Sequence, residues 1–336
     1  MIELSIIIPT RNRCLLLQKA LESLTKQTFS LERFEVIVID NGSTDDTKAI
    51  AKSFDGQLKL QYHYDNRPGL HVGRHDGMKL SQSNLLAFAD DDIEAFPTWL
   101  DGIYESFQDN KIVLVGGKNL PKYESQPPFW ILEKWYQMYD YGHCVPELSI
   151  LDFGDENKEI PASYVWGCNF AIRKDVLQAA GGFHPDGMPF DLIQYRGDGE
   201  SYVSKFITEN HLKTAYNPRA SIYHIVPNSR MTIDYFKKRA FCQGVEMSYI
   251  DKRYAQEIKP QHINNFRKLK KYFNIITGIT TRQLIKTQMK ESEMTDIEKQ
   301  INLSRQLGYN YHHQLYIQQE YLREWVHKNN YLEIDK

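Results

Sequence analysis

The sequence predicts an α/β fold: a mixed, mainly parallel sheet flanked by helices, followed by a helical C-terminal extension. Three observations predict it. Short β-branched runs alternate with helical patterns from Leu4 to Gly117, and strand–helix–strand alternation of this kind builds doubly wound parallel sheets. Strand-like order returns at Tyr164–Ile172 and Lys213–His224 after a stretch rich in Pro and aromatics. Beyond Thr232 the pattern is helical to the end.

Taken in order, the strands are expected at Leu4–Ile8, Phe34–Ile39, Leu58–Tyr64, Leu85–Ala89 and Ile112–Val115. The helices between them fall at Leu15–Leu24, Asp45–Phe54, Gly73–Leu80 and Trp99–Phe107. Ser43, with Asp46 three positions later, fits a capping box for the second helix. Residues 118–165 show little periodicity and read as an irregular excursion able to cover a cleft. The C-terminal helices are expected at Thr232–Asp251, His262–Lys290 and Asp296–Asn329. The change in pattern divides the chain into an α/β domain, 1–230, with halves 1–117 and 118–230, and a helical segment, 231–336.

A chain of 336 residues holds one such domain and a substantial addition. Its 41 Lys and Arg nearly balance 43 Asp and Glu, so no global field selects nucleic acid as a partner. Cys14, Cys144, Cys168 and Cys242 lie far apart without metal spacing, which points to free thiols in a reducing compartment. The first strand begins at Leu4, leaving no room for a signal peptide, so a cytoplasmic protein is expected. The apolar stretch Tyr272–Ile279 is too short to cross a bilayer. Residues 258–290 carry eight Lys or Arg and no acid, with apolar residues at helical spacing. Such a segment either lies peripherally on an anionic leaflet, at the inner face of the plasma membrane, or packs its apolar stripe on the domain. Tyr309, Tyr311, Tyr316, Tyr321 and Trp325 form either a homodimer surface or a cover for the core.

In doubly wound sheets ligands bind beyond the carboxyl ends of the strands, so the polar residues that follow each apolar run are the candidates. Asp90-Asp91-Asp92 follows a buried run, and adjacent carboxylates raise one another's pKa unless a cation joins them. Hard oxygen donors of this kind suit Mg2+ or Mn2+. Asp40 ends another apolar run ahead of a Gly-Ser-Thr turn, at the rim where a base or ribose is read. Arg67, Gly69 and Arg74 fall in a Gly-containing stretch ahead of a helix, suited to a diphosphate.

Together these segments resemble the inverting glycosyltransferases of family 2, with their GT-A (Rossmann-like) fold, over roughly residues 3–245. Ser5 to Arg13 looks like the family's opening strand and nucleotide loop, which places Pro9, Thr10, Arg11 and Arg13 on the donor. Val38 to Thr47 is similar to the base-reading segment, which adds Asp40 and Asn41. Gly69 to Gly77 resembles the pattern Gly-x-x-x-Ala-Arg-Asn-x-Gly, with Gly73 in place of alanine and His75 in place of asparagine. Asp90-Asp91-Asp92 looks like the DXD motif, which implies donor contacts for Asp90 and Asp91 and metal ligation chiefly by Asp92.

The resemblance also implies an acceptor side at Trp166, Gly167 and Asn169, and a histidine, His224, that completes the metal shell. Neutral imidazole is the ligating form. Inverting transfer requires a base for the acceptor hydroxyl. Gly197-Asp198-Gly199-Glu200 occupies the region of the family's base motif without reproducing it; alignment through Val203 selects Glu200, and alignment through Gly197 selects Asp198. The resemblance thus implies transfer from a nucleotide diphosphate sugar, UDP-linked by preference, to a glycan or lipid-linked glycan of the kind used in polysaccharide assembly. A non-catalytic nucleotide-sugar sensor or scaffold on the same fold is the alternative. A processive synthase is disfavoured, since spanning helices and the Gln-x-x-Arg-Trp motif are missing.

Overall fold

The computed structural model describes residues 1–254, 296–328 and 330–332. The chain opens with β1 (Leu4–Thr10), α1 (Cys14–Leu24), β2 (Phe34–Asp40), α2 (Thr47–Lys52), β3 (Leu60–Tyr64), α3 (Leu70–Leu80) and β4 (Leu85–Ala89). Every residue of β1 and β2 is buried, which is why both read as unbroken apolar runs rather than alternating ones. Helix α1 buries Leu17, Ala20, Leu21 and Leu24, a stripe at the spacing that one helix face requires.

Next come β5 (Ile93–Ala95), α4 (Trp99–Ser106) and β6 (Ile112–Gly116). The stretch expected to be irregular instead forms β7 (Asn119–Tyr123), α5 (Phe129–Tyr136), β8 (His143–Val145), β9 (Ile150–Asp152) and β10 (Lys158–Glu159). These strands are too short to show a period; β8 and β9 pair with each other, and β7 and β10 are held by partners distant in sequence. After them lie β11 (Asn169–Arg173), α6 (Lys174–Ala180), α7 (Gly199–Glu209), β12 (Lys213–Tyr216), β13 (Ile222–Val226) and α8 (Ile233–Tyr254).

The main sheet has the order β10-β12-β6-β11-β4-β1-β2-β3. Strands β4, β1, β2 and β3 run parallel, as do β12 and β6, whereas β11 lies antiparallel between β4 and β6. Thr10 registers with Asp40, and Asp40 with Tyr64, so the carboxyl ends of the first three strands form one level rim. A second sheet, β5-β13-β7-β9-β8, stands beyond the acid triplet. There Ile93 pairs with His224, and the Ile225 amide donates to the Asp92 carbonyl at 2.9 Å, which brings His224 beside the triplet.

Helix α8 packs along α9 (Asp296–Gln318), and the chain bends at Gln319 into α10 (Glu320–Val326) where one helix, Asp296–Asn329, was expected. The expected helix His262–Lys290 and the basic segment 258–290 lie outside the described residues. Among the described residues no helix is long and apolar enough to cross a membrane. The expected capping box does not form: the Ser43 hydroxyl accepts from the Asn12 amide at 2.9 Å, and Asp45 accepts from the Thr47 amide at 3.1 Å. Asn12 in turn accepts from the Thr44 amide at 2.7 Å, so the loops after β1 and β2 are stitched together.

Helices α8 and α9 meet backbone to backbone through two glycines. A methyl on Gly244 would stand 1.9 Å from the Arg305 carbonyl oxygen, and one on Gly308 would stand 2.0 Å from that of Phe241. Alanine at either position raises intrinsic helix propensity by about 1 kcal/mol, but prising the helices apart costs about 1–3 kcal/mol. Gly244→Ala and Gly308→Ala are therefore expected to lower the urea midpoint. A raised midpoint in both would show that the crossing is looser than described.

Candidate active site

The segments leaving β1, β2 and β4 converge with the approach to α3 on a cleft of about 360 Å3. Pro9, Thr10, Arg11 and Arg13 enter from the first strand and Asn41 from the second. Arg67 and Gly69 come from the turn before α3, and Asp90, Asp91 and Asp92 from the end of β4. Gly187, Pro189 and Arg230 close the far wall.

Within the acid triplet, Asp91 is bound from both sides. Its Oδ2 accepts from Thr10 Oγ1 at 2.7 Å and its Oδ1 from Arg13 at 2.8 Å. Asp92 Oδ2 accepts from Arg230 at 2.6 Å and from Arg13 at 3.1 Å. Asp92 Oδ1, though buried, has no hydrogen-bond partner and faces His224 Nε2 at 3.2 Å. His224 Nδ1 lies 2.8 Å from the Leu148 carbonyl, an acceptor, so Nδ1 carries a proton; Nε2 faces Asp92 with Arg230 Nη1 3.5 Å away, and in the neutral ring it would offer its lone pair to a metal. A cation between Asp92 Oδ1 and His224 Nε2 would satisfy the unpaired oxygen and take the place of the long Arg230 contact on the ring.

Asp90, Asp92 and His224 bring ligand atoms within 4.8 Å of one another. Carboxylate oxygens with one imidazole fit Mn2+ or Mg2+. Burial pushes the Asp90 and Asp91 carboxyls up, Asp91 to about 6, with repulsion from Asp92 adding to the rise. Burial acts on Asp92 in the same sense, but His224, Arg230 and Arg13 outweigh it and hold that carboxyl below the usual range. Asp92 is therefore the firm anion of the three. A second group, His63, Asp65 and Asp76, has comparable spacing. Its centre is taken by Arg67, which pairs with Asp65 and lies 2.9 Å from Asp76.

Glu200 and Asp198, alternatives in the sequence, part company at the start of α7. Glu200 is held at 3.2 Å by Arg74 on one oxygen and at 3.2 Å by the Gly167 amide on the other. Asp198 turns inward, where His184 Nδ1 approaches at 2.5 Å and the Tyr254 hydroxyl donates at 3.4 Å. The His184 ring stacks on Tyr202 at 3.6 Å, and Tyr249 joins His184 at 3.2 Å to Tyr331 at 2.9 Å.

Other expected residues do not reach the cleft. Asp40 is 2% exposed, with its oxygens taken by the Ser43 amide at 2.7 Å and the Tyr62 hydroxyl at 2.6 Å. Asn169 is sealed inside: its oxygen accepts from Trp99 Nε1 at 2.8 Å, and its nitrogen donates to Asn119 at 3.1 Å and to the Ala220 carbonyl at 2.9 Å. Both of its amide hydrogens are thus committed, and the residue is 2% exposed, out of reach of an acceptor. Trp166 is half-buried and donates to the Ser163 carbonyl at 3.1 Å. Arg74 is also absent from the cleft walls. Gly73, which replaces the family's usual alanine, leaves room for Asn41, whose Oδ1 would stand 2.5 Å from a methyl there.

Sequence reasoning missed Asp186, Arg196 and Glu246. Asp186 lies 3.5 Å from Arg74 and 3.1 Å from Arg196, whose other nitrogen reaches Glu246 at 3.5 Å. Pro185-Asp186-Gly187 reads only as a turn, and nothing in its pattern announces an ion pair. Burial, partly offset by Arg196, pushes the Glu246 carboxyl up to about 7.

That raised value has a definite sign. The folded state holds the Glu246 proton more tightly than the unfolded chain, whose carboxyl titrates near about 4.3. Glu246 thus contributes stability below that pH and loses it as the pH climbs through about 7. Glu246→Gln, which mimics the protonated form, is expected to melt close to wild type at pH 4 and progressively above it from pH 5 to pH 8. Paired melting curves across that range check it; a constant gap would contradict the assignment.

Comparison with known proteins adds family information. The family model described as Glycosyl transferase family 2 matches residues 5–181, a little over half of the chain. Validoxylamine A glucosyltransferase of Streptomyces hygroscopicus subsp. jinggangensis is 28% identical over 199 residues, 54% of this chain and 47% of that protein. Glucosyl-dolichyl phosphate glucuronosyltransferase of Haloferax volcanii is 22% identical over 240 residues, 71% of this chain and 73% of that protein. The chain thus spans about half the length of the first of these relatives. A mannosyltransferase of Pyrobaculum calidifontis, solved with GDP-Man and Mn2+, is similar in fold at a TM-score of 0.56 and 14% identity. That likeness covers 93% of this chain and 87% of that one.

Proposed function

This chain belongs to glycosyl transferase family 2, and from that membership we propose that it moves a sugar, with inversion, from a nucleoside diphosphate carrier to an acceptor hydroxyl. The fold is GT-A, with a helical C-terminal region. We assign catalysis to residues 1–230 and a supporting role to the helical segment 231–336. The observation that carries the reading is the unpaired Asp92 Oδ1 facing His224 Nε2 at 3.2 Å, at the edge of a cleft walled by Arg13 and Arg230.

Asp92 and His224, with Asp90 beside them, hold a divalent cation, Mn2+ or Mg2+. When bound, that cation neutralises charge on the departing diphosphate. Thr10 and Arg13 fix Asp91, keeping the triplet rigid and pre-oriented. Arg13 and Arg230, already gathered at the cleft, offer guanidinium donors to phosphate oxygens. The nucleoside rests against Pro9, Thr10, Arg11 and Asn41, with uridine the first choice; Asp40 orders the wall through Ser43.

Glu200 is the base that removes the acceptor proton. Its two bonds leave lone pairs free, since a carboxylate accepts at about four sites. Asp198 is committed to His184 and sets the start of α7 instead. The acceptor we favour is a hydroxyl of a glycan or lipid-linked glycan, a choice supported by the dolichyl phosphate in the name of the Haloferax relative.

Nucleoside diphosphates tested with and without Mn2+ provide the first test. UDP plus Mn2+ is expected to raise the melting temperature of wild type, because a ligand that binds only the native state stabilises it. Asp92→Asn is expected to lose that rise. Absence of any metal-dependent shift with UDP or GDP would sink the reading. Chemistry is tested separately: Glu200→Gln should lower turnover by about 10²- to 10⁴-fold while leaving UDP affinity within about threefold. Turnover at the wild-type rate would remove Glu200 from the role.

A further inference from the structure

Arg74 sits in α3 with 3% of its side chain exposed, ringed by acids from three separate segments. Its NH1 lies 3.2 Å from Glu200 and 3.5 Å from Asp186, and its NH2 lies 3.9 Å from Asp90. The guanidinium carbon stands 5.1 Å from the centroid of the Phe183 ring. On the remaining side runs Gly167, where a methyl would stand 2.0 Å from NH2. The same Gly167 donates its amide to the second oxygen of Glu200.

We propose that Arg74 is a positioning residue for the base rather than a donor ligand: with Gly167 it clamps Glu200, one oxygen each, and orients it toward the acid triplet through Asp90. The inference rests on the reading of Glu200 as the base. A glutamate side chain has three rotatable bonds, and a base displaced by an ångström loses much of its effect. Two separate donors on its two oxygens remove that freedom. Gly167 is required for the clamp, because any larger residue would push Arg74 out of line.

The surplus of acids around Arg74 has a further use. When Glu200 takes up the acceptor proton its carboxyl becomes neutral, and a lone partner would leave Arg74 as a buried, uncompensated cation, which is costly. Asp186 and Asp90 remain beside it, so the proton can arrive and leave without uncovering the guanidinium charge. Arg74 itself keeps its proton throughout.

A double-mutant cycle tests this through Mn2+-dependent hydrolysis of a panel of UDP- and GDP-sugars, with UDP affinity and melting temperature measured alongside. Arg74→Met is expected to lower kcat by about 10- to 100-fold while leaving the UDP Kd within about threefold. Arg74→Lys should recover part of the loss. On a Glu200→Gln background, Arg74→Met should cost less than about threefold more, because it acts only through the residue already removed. If Arg74→Met does not fold, Gly167→Ala, which keeps the arginine but displaces it, carries the same cycle. Multiplying losses, or a UDP Kd that rises in step with the fall in kcat, would overturn the positioning role and return Arg74 to the donor or to a scaffold part. Wild-type turnover in Glu200→Gln would mean that the base assignment itself fails, and the inference with it.

Discussion

Negative charge crowded into a partly buried pocket is the constraint that organises this molecule. Asp90, Asp91 and Asp92 follow one buried strand, and Asp186 and Glu200 stand close by. Carboxylates gathered in this way remain ionised only if cations or donors are supplied to them. The fold supplies them from all sides: Arg13 from the loop after β1, Arg74 from α3, Arg230 from beyond β13 and Arg196 from the turn before α7. Arg13, Arg74 and Arg196 each meet two or more acids, and Arg230 shares Asp92 with Arg13, so none of these contacts is an isolated pair.

The two sheets follow from the same demand. A single parallel sheet would present the triplet at its rim with nothing opposite. The second sheet answers this by setting β13 against β5, which starts one residue after Asp92. Pairing of Ile93 with His224 then fixes the imidazole relative to the acids through backbone hydrogen bonds, and Leu148 fixes its tautomer. Backbone register is a stiffer positioning device than side-chain packing alone, because a slip by one residue would turn His224 to the opposite face.

What could be read from the residues was whatever is decided locally. Strands β1, β2 and β4 announce themselves as unbroken apolar runs, and the acids that end β4 announce the rim. Pairing between remote segments leaves no such trace. The insertion of β11 between β4 and β6 depends on contacts across many residues, and β8, β9 and β10 are only two or three residues long. The direction of a side chain was equally hidden. Arg74 and Arg67 lie in one motif, yet one turns to Glu200 and the other is captured by Asp65 and Asp76. Asp40 was legible as a rim residue, but the Tyr62 hydroxyl that occupies it comes from a neighbouring strand.

The aromatic and imidazole chain through Tyr331, Tyr249, His184 and Asp198 joins the far end of the described residues to the segment that leads into Glu200. Tyr331 is fully enclosed in that chain. On a ribosome, where domains form as units from the N-terminal side, the α/β core can condense early. The residue ahead of that helix, Asp198, gains the last link of its network only after Tyr331 has emerged. A nascent chain would therefore pass through a period in which the loops after β1 and β2 are assembled while His184 and Asp198 still lack the Tyr331 end of their network.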